Sequence, residues 1–162
     1  EVMNCNFNNN EADGTGVSGS GHGGAVHHFS GQLLIMNCNL LNNTCAGKGA
    51  GIDMNTRLVL SQARLHGNSS VIACTINSNT STADDGCGGL YLKAGEVDDT
   101  GVADAKVIMS GTTICENVRG VALDISNFCE GSVLVDQFED AGSNTICSTS
   151  DPELPEQCPP YL

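Results

Sequence analysis

The chain is written in short apolar runs punctuated by glycine and asparagine. Between Gly23 and Asn43 two β-type runs, Ala25-Val26-His27 and Leu33-Leu34-Ile35-Met36, flank a Ser30-Gly31 turn, and a third closes on Leu40-Leu41-Asn42-Asn43. Weaker copies recur along the chain. The pattern apolar-x-x-Asn appears at Phe7…Asn10, Leu40…Asn43, Leu65…Asn68, Ile76…Asn79 and Ile114…Asn117. Small residues precede an apolar strand at Gly23-Gly24-Ala25-Val26, Gly49-Ala50-Gly51-Ile52, Gly88-Gly89-Leu90-Tyr91 and Arg119-Gly120-Val121-Ala122. A third element, Leu33-Leu34-Ile35, returns as Leu58-Val59-Leu60, Val107-Ile108-Met109 and Val133-Leu134-Val135. The order of the elements holds while the spacing of the Gly-strand copies drifts through 26, 39 and 31 residues. No window holds a helical period, because the candidates break at Gly or Asn. Fixed strands joined by elastic loops are the mark of stacked repeats, each burying its apolar face only against its neighbours. The pattern predicts an all-β chain, a right-handed parallel β-helix (solenoid) of about four coils. It turns Val26, Leu34, Ile52, Leu60, Leu90, Ile108, Val121 and Leu134 inward.

The alternation of a GGA- or GGI-type strand with an F-x-x-N corner, here Gly23-Gly24-Ala25 and Phe7…Asn10, is similar to the repeats of polymorphic outer-membrane adhesins. More broadly, the stretch from Met3 to about Asn144 resembles the pectate-lyase-like β-helix superfamily. The resemblance implies the fold. It leaves the activity open among lyases, hydrolases, epimerases, adhesins and structural spacers, since function resides in sites grafted on the fold.

Along the chain, Met3, Cys5 and Phe7 alternate onto one face, read as inward. The second coil runs from Ala25 to Asn43 and the third from Gly51 to Asn68. Val71-Ile72-Ala73 and Thr75-Ile76 add a strand pair spaced too closely for a full coil. Residues 1–150 form the β-helix with long loops. Residues 151–162, with Pro152, Pro155, Pro159 and Pro160, form a Pro-rich C-terminal strap that is neither helix nor central strand.

Cysteine usage sets the compartment. Nine cysteines, no initiator Met and no signal peptide read as a processed or excised piece of an extracellular or cell-surface protein. Cys5, Cys38 and Cys74 each stand two residues before an apolar corner residue and should stack in one interior column. In-register strands lie ~4.8 Å apart, which leaves stacked thiols and disulfides both open. Cys147 and Cys158 bracket the Pro-rich stretch and are expected to be joined. Nine is odd, so at least one thiol is free or pairs outside the chain. Asn42-Asn43-Thr44, Asn68-Ser69-Ser70 and Asn79-Thr80-Ser81 are glycosylation sequons. At Asn68 and Asn79 a glycan competes with a stacked corner asparagine, and Asn42 escapes that conflict.

Charge narrows the partners. The formal net charge is -13, and residues 82–162 carry fifteen acidic against three basic groups, net -12. That excludes a phosphate-neutralising nucleic-acid surface. No apolar run approaches the ~18 residues of a membrane span. Asp98-Asp99 offers hard oxygen ligands in a loop, and calcium is the ion they suit; Asp84-Asp85 and Glu139-Asp140 are similar pairs. No other cofactor is expected.

Catalytic sets are fragmentary. Gly21-His22-Gly23 and Asp84-Asp85 resemble parts of a polysaccharide-hydrolase set, but His precedes the Asp pair and no Arg-x-Lys follows. Carboxylates on adjacent strand residues also point to opposite faces. His22, His27 and His28 are candidate metal ligands, yet His27 and His28 are neighbours facing opposite ways. Aromatic content of 4% with no Trp leaves little sugar-stacking surface. The sequence therefore points to a glycosylated, non-catalytic structural or adhesive module of an extracellular filament or appendage. Its partners would be other protein subunits docked through the coil ends, with glycans as further ligands. A carbohydrate-active lyase or hydrolase acting on acidic polysaccharide is the alternative.

Overall fold

The computed structural model describes residues 1–14, 21–28, 32–55, 69–83, 88–93, 107–119 and 138–147. The chain lays its strands down in rotation. The first pass contributes β1 (Val2–Met3), β2 (Asn6–Asn8), β3 (Glu11–Ala12) and β4 (Val26–His28) to four different sheets. The second pass, β5 (Leu34–Met36), β6 (Asn39–Leu41), β7 (Thr44–Cys45) and β8 (Ile52–Asn55), pairs strand for strand with the first. The third adds β9 (Ser69–Ile72), β10 (Thr75–Asn77), β11 (Thr80–Ser81) and β12 (Leu90–Lys93). Then β13 (Val107–Ser110), β14 (Thr113–Cys115) and β15 (Val118–Arg119) extend the first three sheets, and β16 (Phe138–Asp140) and β17 (Thr145–Ile146) extend the first two. Among the described residues every pairing is parallel and there is no helix, an arrangement compatible with a parallel β-solenoid.

Single left-handed residues make the corners. Asn4, Asn37, Ala73, Gly111 and Ser143 have φ of 55, 53, 51, 59 and 60° between the first and second sheets. Asn9, Asn42, Ser78 and Glu116 take 57, 55, 55 and 57° between the second and third. One left-handed residue turns a strand sharply, and asparagine tolerates that region better than most side chains. The hydrogen-bond ladder continues through the bends: Asn4 N donates to Met36 O, Asn37 N to Ile72 O and Ala73 N to Ser110 O. The backbone therefore turns without orphaning its donors, which is what lets so short a strand be buried.

Identical positions stack inside. Phe7, Leu40, Ile76 and Ile114 are in register, and the last three are wholly buried. Val2, Ile35, Val71 and Met109 form a second column and Val26, Ile52 and Leu90 a third. Ile52 and Leu90 are inward as the pattern predicts, and Val26 packs against the same core. Leu34 and Ile108 are not. They are half-buried on the outer face of the first sheet, and Ile35 and Met109 occupy the core instead. In Leu33-Leu34-Ile35-Met36 and Val107-Ile108-Met109 every residue is apolar, so a period of two carries no phase. Leu60, Val121 and Leu134 lie outside the described residues.

The register also assigns the strand pair that spacing left unplaced. β9 and β10 are the third-pass members of the first and second sheets, and the third-pass corner is Ile76…Asn79. Leu58-Val59-Leu60, Leu65…Asn68 and Val133-Leu134-Val135 fall outside the described residues, and β16 is the strand beside β13.

A ladder of corner asparagines fixes that register. Asn10 N and Nδ2 donate to Asn43 Oδ1 at 3.0 and 2.8 Å. Asn43 N and Nδ2 donate to Asn79 Oδ1 at 2.9 and 2.8 Å, and Asn79 N and Nδ2 to Asn117 Oδ1 at 3.0 and 2.8 Å. Each amide also reaches back to a core-strand carbonyl: Asn43 to Phe7 O, Asn79 to Leu40 O and Asn117 to Ile76 O. Buried amides satisfied on both ends stabilise; the same amides unpaired would cost several kcal/mol (~1–3 for each orphaned group).

Cys5, Cys38 and Cys74 do stack, with Thr112 and Asn144 continuing their column. All three are free thiols. Cys5, Cys38 and Cys74 Sγ donate to Met3 O, Met36 O and Ile72 O, each across the left-handed corner residue, and Thr112 Oγ1 does the same to Ser110 O. The column is thus a set of corner braces. The expected Cys147–Cys158 bridge is overturned. Cys147 is bonded to Cys115, its neighbour in the preceding pass with Cα atoms 4.8 Å apart, and Cys158 lies outside the described residues. Because Ile114 and Ile146 are register partners, the residues after them are brought side by side.

Candidate functional site

Outward positions on the fourth sheet carry the densest chemistry among the described residues. Alternation along β4, β8 and β12 sends Val26, Ile52 and Leu90 inward, so their successors His27, Asp53 and Tyr91 share the outer face in one register column. Two turns bring in the rest. Gly23 and Gly49 take φ of +65 and +66° ahead of β4 and β8, placing His22 and Lys48 beside the column. Gly51 is required for another reason: a Cβ there would lie 2.7 Å from both Gly89 O and Ile76 Cγ2.

Asp53 is the hub. Although outward, it is only 4% exposed, and Tyr91 is 5% exposed. His27 Nδ1 lies 2.8 Å from Asp53 Oδ2, and His22 Nδ1 lies 3.4 Å from the same oxygen. Lys48 backbone N–H donates to His22 Nδ1 at 3.1 Å, and Lys48 Nζ donates to Tyr91 Oη at 2.8 Å. The two imidazoles are 5.9 Å apart between ring centroids. Burial pushes the Asp53 carboxyl above its ordinary value, against the opposing pull of His27, His22 and Lys48. Cys45, behind the same turn, donates its S–H to Gly47 O at 3.1 Å, and burial pushes its thiol up. Ser81 Oγ donates to the same Gly47 carbonyl.

These contacts suit particular tautomers of the neutral imidazoles. A nitrogen that accepts the Lys48 N–H carries no proton, so His22 holds its proton on Nε2. His27 Nδ1 is at hydrogen-bond distance from the carboxylate, and a neutral His27 that donates there carries its lone pair on Nε2. A buried carboxylate orienting an imidazole in this way is the arrangement that positions a general base. The 41% exposed side chain of His27 is within reach of solvent. Among the described residues no group of three His, Cys, Asp or Glu is placed to hold a metal ion. His28 is in register with buried Met54, so the two adjacent histidines do face opposite ways.

The sequence-derived candidates distribute as follows. Asn42 is exposed at a corner, where its side chain is accessible to a glycan. Asn79 is wholly buried and its amide nitrogen is committed to Asn117 and Leu40, so a glycan on Asn79 is incompatible with this structure. Asn68, Asp84, Asp85, Asp98 and Asp99 lie outside the described residues. Sequence reasoning found His22 and His27 but missed Asp53, Lys48 and Tyr91. The signal was present: aligning Val26, Ile52 and Leu90 as equivalents places His27, Asp53 and Tyr91 in one column. No protein-family model, curated protein or solved structure matches this chain.

Proposed function

We propose that this chain is a right-handed parallel β-helix of about four coils serving as a non-catalytic structural or adhesive module of an extracellular or cell-surface assembly. The observation that carries the reading is the commitment of the repeated polar side chains to the scaffold: corner asparagines to the ladder, stacked thiols and Thr112 to the bends. A Cys115–Cys147 crosslink between neighbouring strands suits an oxidising compartment. Exposed Asn42 is the glycan acceptor in this reading. Other subunits dock at the coil ends, adding strands to the parallel sheets. Calcium at Asp98 and Asp99 belongs to the same proposal.

A specific observation favours the second reading, a carbohydrate-active enzyme. The carboxylate-oriented His27 lies on an outer sheet face, where an extended polymer could lie. Incubation with polygalacturonate and alginate, with and without calcium, separates the two. The structural reading expects no new reducing ends and no unsaturated products. Depolymerisation that disappears in His27→Ala establishes the enzyme instead.

A further inference from the structure

His22 Nδ1 accepts one hydrogen bond and lies near a carboxylate oxygen, two neighbours that call for opposite protonation states of the same atom. Its Nδ1 is 3.1 Å from the Lys48 backbone N–H, which must donate to it, and 3.4 Å from Asp53 Oδ2, which can only accept from it while ionised. Neutral His22 satisfies the first contact. A proton on Nδ1 would abolish it, because two N–H groups would then face each other, and would create a charge-assisted bond to the buried carboxylate.

We infer that His22 is a proton-driven switch at the corner between the third and fourth sheets, exchanging the Lys48 N–H for Asp53 Oδ2 when its Nδ1 takes up a proton. The charged and titratable groups facing it among the described residues set the balance. Asp53 on β8 attracts the added proton, while His27 on β4, already on the same Oδ2, competes for that oxygen. Lys48 opposes a second cation, and its ammonium is drawn toward Tyr91 on β12. Cys45 on β7 adds no positive charge. The backbone around it is held by other bonds: Gly47 N donates to Gly21 O and Gly23 N to Lys48 O, each at 2.9 Å, so the exchange asks only the His22 ring to turn. One amide changes state within a turn that is otherwise pinned. The consequence is a corner whose tie between successive passes is a neutral hydrogen bond while His22 is neutral and an ion pair once it is protonated.

The test is on the full chain, by long-range proton–nitrogen correlation of the imidazoles and by exchange of the Lys48 amide between pH 8 and pH 5.5. At pH 8, His22 Nδ1 should carry the nitrogen shift of an acceptor and the Lys48 amide should be protected. At pH 5.5, Nδ1 should be protonated and Lys48 protection should fall at least tenfold after correction for intrinsic exchange, with Gly23 and Gly47 unchanged. In His22→Gln, whose side chain can accept but not be protonated, Lys48 protection should be independent of pH. Asp53→Asn should move the transition to lower pH; if that variant does not fold, His22→Gln decides alone. Constant Lys48 protection in the parent chain, or Nδ1 already protonated at pH 8, overturns the inference. So does an acid proton that settles on Asp53 while His22 continues to accept.

Discussion

The asparagine ladder and the histidine–aspartate cluster both take polar side chains out of water, the first inside a corner and the second on the outside of a sheet. In the ladder, every participant is a neutral amide with donors and acceptors on one side chain, so identical residues satisfy one another without limit as passes are added. Asn43, Asn79 and Asn117 are accordingly among the largest fully buried side chains. In the cluster, no two participants are alike. Asp53 can only accept when ionised, Lys48 can only donate, and the histidines do either according to their protonation. The first arrangement is indifferent to pH and repeats; the second depends on pH and occurs once among the described residues. A repeat fold thus uses amides for what each pass must share and titratable groups for what distinguishes one face.

The largest way to break that contrast is Asn79→Ala. It leaves Asn43 N–H and Asn43 Nδ2 without the Asn79 Oδ1 acceptor in the interior, so a loss of about 2–5 kcal/mol is expected from denaturant unfolding. The loss should be the same at pH 5.5 and pH 8. A cost below about 1 kcal/mol would show that the ladder follows the fold rather than fixing it.

Next in size is the inner against the outer face of one strand. Ile35→Ala should cost about 3 kcal/mol, whereas Leu34→Ala, half-buried outside, should cost less than about 1 kcal/mol. Equal costs would mean that the outer face of the first sheet is covered by something as well packed as the core.

A smaller change sharpens the account of the corners. Ala73 is the one residue in its column that is neither asparagine, serine nor glycine, and it takes φ of 51°. Ala73→Gly should gain about 0.5–1 kcal/mol, the relief of left-handed strain less the extra freedom of glycine when unfolded. A loss in thermal melting would locate that strain elsewhere.

Smallest is the effect of Asp53→Asn at neutral pH, where the burial cost of the charge and its pairing with the imidazoles oppose each other. Its signature is the slope. A carboxyl whose folded value is raised above 3.8 contributes stability that is fully present below that pH and is lost as pH rises through the folded value. Relative to Asp53→Asn, the parent chain should therefore be more favoured in acid and less favoured upward from about pH 4. Parallel stability–pH curves would contradict the burial of Asp53 as a charge.

Repetition made the fold legible. Apolar-x-x-Asn and the paired glycines mark where the chain must turn and what must face inward, and the structure stacks Phe7, Leu40, Ile76 and Ile114 with their asparagines. Those features are local: a corner needs a residue that tolerates left-handed φ, and a buried corner needs an amide. Phase and register were not local. Whether Leu34 or Ile35 faces the core depends on which neighbour each strand pairs with, since an all-apolar run reads the same from either side. The Cys115–Cys147 bond depends on stacking β14 against β17 across 32 residues of sequence. The cluster depends on it most. His27 and Asp53 are 26 residues apart, and nothing in the chemistry of either announces the other. The sequence by itself determined which residues could turn, stack or titrate. The tertiary structure alone decided which of them meet, because parallel register converts distant positions into neighbours separated by a single strand spacing.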